Sequence, residues 1–484
     1  MSTLVARSLV FFASAAVLIL EILAGRMMAP FVGVTLETWT GIIGTILAGI
    51  SIGAWLGGRA ADRYAPQRVL PVVLIAGGIL AIFTYPAIRL VGPSVSSEPF
   101  DIVFLASVSF FAPAAVLSAV TPAVTKIRLE TLDETGTVVG RLSALSTAGA
   151  IFGTFFAGFV LVAAWPSRTI TIILGAVLIG TGIATAVSAR SFTRTALVTT
   201  VVLAGLSTTM SIAAPRTCDY ETAYYCINVD PDGDRPTGRI LWLDTLRHSY
   251  VDLEDPTYLE FRYARIFAAV LDSQLPNGPV DSLSIGGGGF TFPRYISATH
   301  PGGINTVLEL DPAVVDIARD ELGLDPTTLD IHTGDARITL RDTPEAAYDV
   351  VVGDAFGGPA VPWHLTTKEF AEEFSARLRP GGFYLLNLID YPPLGFARAQ
   401  TATLAEVFEH VVVIAPRDYI AGERGGNFVL VASDAPLDIP AIEAALARRD
   451  STGVAVGGSQ LAGFIDGAPV LTDNYAPVDQ LITS

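Results

Sequence analysis

Residues 284–295, SIGGGGFTFPRY, place four consecutive glycines, Gly286–Gly289, directly behind an apolar, strand-like run. A glycine turn in that position bares backbone amides and lets a nucleotide come close, so the stretch predicts the first strand and turn of a nucleotide-binding α/β unit. Outward from it the chain alternates. Strands are predicted at Leu283–Ile285, Thr306–Leu310, Leu329–His332, Val350–Gly353, Gly382–Leu388, Val411–Ile414 and Phe428–Val431, with helices between them, as at Ala313–Glu321 and Lys368–Leu378. That rhythm predicts a doubly wound, mostly parallel, Rossmann-like sheet with its ligand at the carboxyl ends of the strands. Upstream, YYCINV and GRILWLDTLRHSYVDL alternate apolar and polar residues around the turn DPDGDRPTG. They predict a small β-hairpin cap, and Tyr258–Leu271 reads as a linking helix.

Four features stand at the predicted strand ends. They are Gly286, Gly287 and Gly288; Glu309 with Asp311 in LELDP; Asp335 with Ala336 in GDAR; and Asp354 in YDVVVGDAF. Alone, each acid is as readily a turn cap as a ligand. In this order and spacing they indicate an adenosine pocket, with an acid placed to accept hydrogen bonds from ribose hydroxyls. A dinucleotide fingerprint asks for another glycine at position 291, where Thr291 stands, which argues against a dehydrogenase. The five histidines and two cysteines show no metal-ligand spacing, so no metal is expected.

The 484 residues divide by composition. Up to Ala214 the chain holds 12 of its 30 basic and 8 of its 47 acidic residues, and is mostly apolar; the rest is strongly acidic. An acidic unit repels phosphates, so nucleic acid is not an expected partner. A spanning helix needs about 20 apolar residues. Runs of that kind begin near Leu9, Trp39, Val69, Ile102, Ser143, Thr169 and Thr195, which predicts seven helices in a lipid bilayer. The expected organisation is residues 1–215 as a transmembrane domain, 216–275 as β cap and linking helix, and 276–484 as the nucleoside-binding domain.

Arg7, Arg59, Arg63, Arg68, Lys126, Arg128, Arg141, Arg190 and Arg194 fall on one side of those spans, against Arg89, Arg168 and Arg216 on the other. The excess predicts a cytoplasmic N-terminus and, with an odd number of spans, an extracytoplasmic acidic domain. Cys218 and Cys226 in TCDYETAYYC follow the last span and are either a disulfide of that outer side or two free thiols. Glu21, Arg26 and Glu37 lie in or beside the first span, where charge is expensive and marks either a site or a packing pair. Small residues in GTILAGISIGAWLGG and GAIFGTFFAGF recur at four-residue steps, which suits close helix contact.

These motifs together resemble the spermidine synthase (polyamine aminopropyltransferase) family, especially its membrane-fused bacterial branch. APFVGVTLETWTGIIGTILAGISIGAWLGGRAADR is similar to the first spans of that branch; WLDTLRHSYVDLEDPTYLEF, IGGGGFTFPR, LELDP, GDAR, YDVVVGDAF, PWHLTT and LTDNYAPVDQL follow in the family's order. The resemblance implies a class I methyltransferase-like fold and a site for S-adenosylmethionine or its decarboxylated form, used as substrate. By it, Gly286 and Gly288 approach the nucleoside and its sulfonium arm, Glu309 holds the ribose, Asp335 and Ala336 hold the adenine edge, and Tyr258 and His248 line the pocket. His248 stands where soluble members carry a glutamine. Asp354 matches the acid that deprotonates or orients the attacking amine, and His364 and Tyr475 are candidates to close over the site.

Two departures bear on the acceptor. Gly289 stands where soluble members have an aspartate, and Gly357 where they have a second acid, and those acids hold cationic amines. Burying an ammonium without them costs several kcal/mol, which argues against a polyamine acceptor. The reading is therefore a membrane-bound transferase that releases methylthioadenosine. Its alternatives are a cyclase in which the carboxylate of S-adenosylmethionine attacks its own γ-carbon to give homoserine lactone, and a silent nucleoside-binding membrane sensor. A homodimer is among the assemblies open to it.

Overall fold

The computed structural model describes residues 2–129, 135–190, 193–358, 360–449 and 452–482. The chain forms two compact units, Met1–Ile227 and Asn228–Ser484.

Among the described residues of the first unit, seven helices are long and apolar enough to cross a membrane: α1 (Thr3–Val32), α2 (Leu36–Arg63), α3 (Pro66–Ser94), α4 (Pro99–Arg128), α5 (Thr135–Ala164), α6 (Ser167–Ser188) and α7 (Arg194–Ala213). α1 packs along α5, and α3 along α6. The small residues do what their spacing predicts. A side chain at Gly53 of α2 would collide with the backbone of Ala115 in α4, and one at Gly153 of α5 with the backbone of Ala15 in α1. In a bilayer, close approach of this kind would replace the hydrophobic drive that lipid removes.

After α7 the chain is pinned to the end of the bundle. Arg168 donates to the carbonyl of Ala214 at 2.7 Å and to the Tyr85 hydroxyl at 3.1 Å. Arg26 of α1 donates to the carbonyls of Thr222 and Ala223, and Glu221 accepts from the amide and hydroxyl of Ser167. Cys218 and Cys226 form a disulfide across this loop, and β1 (Tyr220–Glu221) pairs antiparallel with the start of β2 (Cys226–Pro231). Of the two readings open for these cysteines, the structure has the bonded one.

The second unit opens with an antiparallel hairpin, β3 (Gly238–Leu243) and β4 (Leu246–Asp252). The linking helix α8 spans Arg262–Gln274, so it begins four residues after the sequence predicts. Tyr258 remains outside it, held by its hydroxyl on Glu260 at 2.6 Å and by the Arg235 guanidinium 3.8 Å above its ring.

The main sheet has the order β12-β10-β11-β9-β8-β5-β6-β7. Its strands are β5 (Ser282–Ile285), β6 (Asn305–Glu309), β7 (Asp330–Thr333), β8 (Tyr348–Gly353), β9 (Leu378–Asp390), β10 (His410–Pro416), β11 (Gly426–Ser433) and β12 (Gly453–Gly457). From β5 the chain runs outward through α9 (Thr291–Thr299), β6, α10 (Pro312–Glu321) and β7, then returns to place β8 on the other flank of β5. The crevice between β5 and β8 is thus the point where strand order reverses, the expected ligand position in such a sheet.

Two layers cover it. Leu386, Leu388, Phe428 and Leu430 face a core with Phe370, Phe396 and Leu404, while Phe383, Leu385, Val429 and Val431 face one with Phe267, Val270 and Ile442. Strands buried on both faces read as unbroken apolar runs, which is why they were visible in the sequence. The parallel expectation holds for β5 to β9 but not beyond. β10 and β11 are joined by a short connection and pair as a hairpin, so β11 enters antiparallel to β9, and β12 adds antiparallel to β10.

Candidate active site

Strand ends place the site residues. Gly286 leaves β5 at φ +97°, and a Cβ there would stand 2.5 Å from the carbonyl oxygen of Asp354, so the turn and the end of β8 touch backbone to backbone. Only glycine supplies both the left-handed φ and the room. Glu309, at the end of β6, ties the turn from below. Its Oε2 accepts from the amides of Gly287 (2.8 Å) and Gly288 (3.1 Å), and its Oε1 from the amide of Asp311 (2.9 Å). Burial raises its carboxyl above the ordinary value, and the three amides offset part of that. Oε1 keeps a free lone pair, so Glu309 can still accept from a ribose hydroxyl.

The fourth glycine has a packing explanation. The Gly289 amide donates to Ser249 Oγ at 3.0 Å, and a Cβ there would lie 2.7 Å from the Cβ of Ser249 and 3.1 Å from Val251. Strand β4 fills the place an aspartate would take. The neighbouring His248 ring edge lies against Gly288, and its Nδ1 is 3.1 Å from Ser249 Oγ. Burial pulls its pKa down to about 4, so at neutral pH it brings no charge to the turn.

Asp354, just past β8, is held by two side-chain donors. Its Oδ2 accepts from the Tyr263 hydroxyl and its Oδ1 from Asn387 Nδ2, both at 2.9 Å. Burial pushes its carboxyl up to about 6, against the pull of those two donors. A carboxylate poised there can accept a proton near neutral pH, as a general base must. Tyr258, by contrast, bonds Glu260 and contacts the ring of Tyr250 at 5.7 Å, and the phenol that reaches Asp354 belongs to Tyr263 on α8.

Asp335 caps the short helix Ala336–Thr339, accepting from the Arg337 amide at 2.9 Å, while His364 Nε2 lies 3.1 Å from its Oδ2. Ala336 is buried at the same corner. Arg337 donates to the carbonyl of His364 and pairs with both carboxylate oxygens of Asp473 at 2.6 and 2.7 Å. The turn Thr472–Tyr475 therefore stands beside His364, with Tyr475 itself largely exposed and joined to Thr472 by two 2.9 Å backbone bonds. Gly357 sits in an exposed turn, bridged to Ala360. Among the described residues no group of three or more His, Cys, Asp or Glu side chains is arranged to hold a metal ion.

Sequence reasoning missed Tyr263, Asn387, Ser249 and Asp473. Asn387 alone left a signal, a lone amide inside the apolar run FYLLNLID, since a buried polar group needs a partner.

No family model matches the chain. It is 33% identical over 133 residues to a polyamine aminopropyltransferase of Vibrio vulnificus, covering 27% of this chain and 44% of that protein. It is 32% identical over 113 residues to a spermine synthase of Arabidopsis thaliana, covering 22% and 31%. The chain thus spans less than half the length of these curated relatives. A crystal structure of a probable spermidine synthase from Corynebacterium glutamicum superposes with TM-score 0.50 at 29% identity, covering 54% of this chain and 97% of that one. Motif order, local identity and the matching α/β unit converge on one likeness: this chain is similar to the spermidine synthases (polyamine aminopropyltransferases).

Proposed function

We propose that the protein is a membrane-embedded alkyl transferase that takes decarboxylated S-adenosylmethionine, or S-adenosylmethionine itself, and releases methylthioadenosine. The observation that carries this reading is the Asp354 carboxylate, gripped by Tyr263 and Asn387 and set against the Gly286 turn. The sulfonium substrate is already activated, so the protein need only align a nucleophile, take up its proton and exclude water. Asp354 is assigned the proton. Glu309 is assigned a ribose hydroxyl, the Gly286–Gly288 turn the approach to the nucleoside, and Asp335, Ala336 and His364 the adenine side.

The acceptor carries a single amine in this reading. Position 289 is closed by Ser249 and Val251, and Gly357 brings no carboxylate, so a second ammonium has no partner there. The seven apolar helices lie in the bilayer with the N-terminus in the cytoplasm and the α/β unit outside, as the Cys218–Cys226 disulfide also favours.

The test uses full-length protein in lipid nanodiscs with each sulfonium nucleoside, alone and with butylamine or putrescine, and follows methylthioadenosine. Amine-dependent release that favours butylamine is expected. Release independent of amine would instead mark self-cyclisation, and no release under any condition would leave a nucleoside sensor.

A further inference from the structure

Asp354, Tyr263, Asn387 and Asn427 form a connected line on one side of the sheet. Residue alternation puts Asn387 on the face of β9 that carries Phe383 and Leu385, and Asn427 on the face of β11 that carries Val429 and Val431; this is the layer that α8, with Tyr263, covers. In the ladder Asn387 stands opposite Val429 and Asn427 opposite Ile389, so the two amides are diagonal neighbours across adjacent strands. Asn427 Nδ2 donates to Asn387 Oδ1 at 2.9 Å, and Asn387 Nδ2 donates to Asp354 Oδ1 at 2.9 Å.

An amide can present either end to a neighbour. Turned one way, Asn387 gives Asp354 a donor and stabilises the ionised carboxylate; turned the other way, it gives a carbonyl oxygen, which a carboxylate tolerates only by taking up a proton. Asn387 is 2% exposed, so water cannot supply the missing partner. What selects the turn is the second amide. With Asn427 donating to its oxygen, Asn387 has only its NH2 left for Asp354.

We propose that Asn427 is a positioning residue that locks the Asn387 amide with its donor toward Asp354 and thereby keeps that carboxylate ionised and ready to accept a proton. The relay rests on the transferase reading for its use but not for its existence. Asn427 is half-buried near the start of β11 and reaches Asp354 through Asn387. The titratable groups facing Asp354 are two phenols, Tyr263 of α8 and Tyr384 of β9; burial and the nearby Asp354 carboxylate hold both well above the ordinary tyrosine value. Neither changes charge in the range where Asp354 titrates.

The experiment compares wild type, Asn427→Val, Asn427→Gln and Asn387→Leu as full-length protein in nanodiscs. The first readout is the acidic limb of the pH–rate profile for methylthioadenosine release. The second needs no turnover: infrared difference spectra of the protonated carboxyl band, assigned by its loss in Asp354→Asn, followed against pH. Removing the direct donor in Asn387→Leu should raise both midpoints by about one pH unit. Asn427→Val should raise them by roughly half of that, and Asn427→Gln should return them toward wild type. An Asn427→Val variant whose midpoints match wild type overturns the relay, even if its rate falls. If release is absent in every variant, the transferase reading fails while the infrared midpoints still decide the relay.

Discussion

The amide of Gly289 donates to the Ser249 hydroxyl at 3.0 Å, and the two residues are so close that no Cβ fits between them. Gly289→Asp should therefore destabilise the protein by about 1–3 kcal/mol, the usual cost of overpacking. Ser249→Gly added to it should return part of the loss, because the clash is with the Ser249 Cβ. Thermal-shift midpoints of the single and double variants form the cycle that checks this.

Burial pushes the Asp354 carboxyl up to about 6 in the folded protein, above the ordinary 3.8. The folded state thus holds its proton more tightly than the unfolded one. That stabilising contribution is complete below about pH 3.8 and is lost as pH rises through 6. Asp354→Asn removes the dependence, so its melting midpoint minus that of wild type should climb between pH 4 and pH 7. The same variant should lose amine-dependent release by at least about 10²-fold. Unchanged turnover would remove Asp354 from the chemistry.

The Arg337 guanidinium holds the Asp473 carboxyl below its ordinary value. Its contribution is present at neutral pH and disappears as pH falls through that lowered value. Asp473 is 39% exposed, so the pair is worth only about 0.5–1 kcal/mol after screening by solvent. Asp473→Asn should accordingly leave the melting midpoint almost unmoved, raise KM for the nucleoside several-fold and leave kcat unchanged. Steady-state kinetics separates this from a general loss of fold.

The Cys218–Cys226 bridge closes a loop that Arg26 and Ser167 also hold. Cys226→Ser should cost about 2–3 kcal/mol by freeing the unfolded loop. In intact cells a membrane-impermeant maleimide should label the Cys218 thiol of that variant, which is part-exposed, and leave wild type unlabelled. Failure to label in cells, with labelling after lysis, would put the loop on the cytoplasmic side.

Much of the fold was legible because strands buried on both faces, such as YDVVVG and FYLLNLID, are mostly apolar on both. β12 was not: GVAVG offers three apolar residues between glycines, too few to distinguish from a loop. Nor could NFVLVAS announce that it runs against its neighbour, since a two-sided apolar strand reads alike in either direction. The start of α8 was misplaced because Tyr258 has helical spacing from later apolar residues, yet Glu260 and Arg235 hold it in a loop. At the site, Asp354 declared itself by ending an apolar run. Tyr263 lies 91 residues away in sequence and Asn427 on a strand of opposite sense, and no local pattern records such meetings.

The reversed sense of β11 has a consequence for how this pocket can change. Neighbouring strands hand their last residues to the rim, but β11 hands over its first, so the segment just ahead of it (residues 417–425) opens onto the same mouth from the opposite edge. That segment can be lengthened, shortened or recharged while every rung of the ladder stays in place. On the transferase proposal, acceptor choice is thus separable from foldability, because one connector can change without touching the ladder.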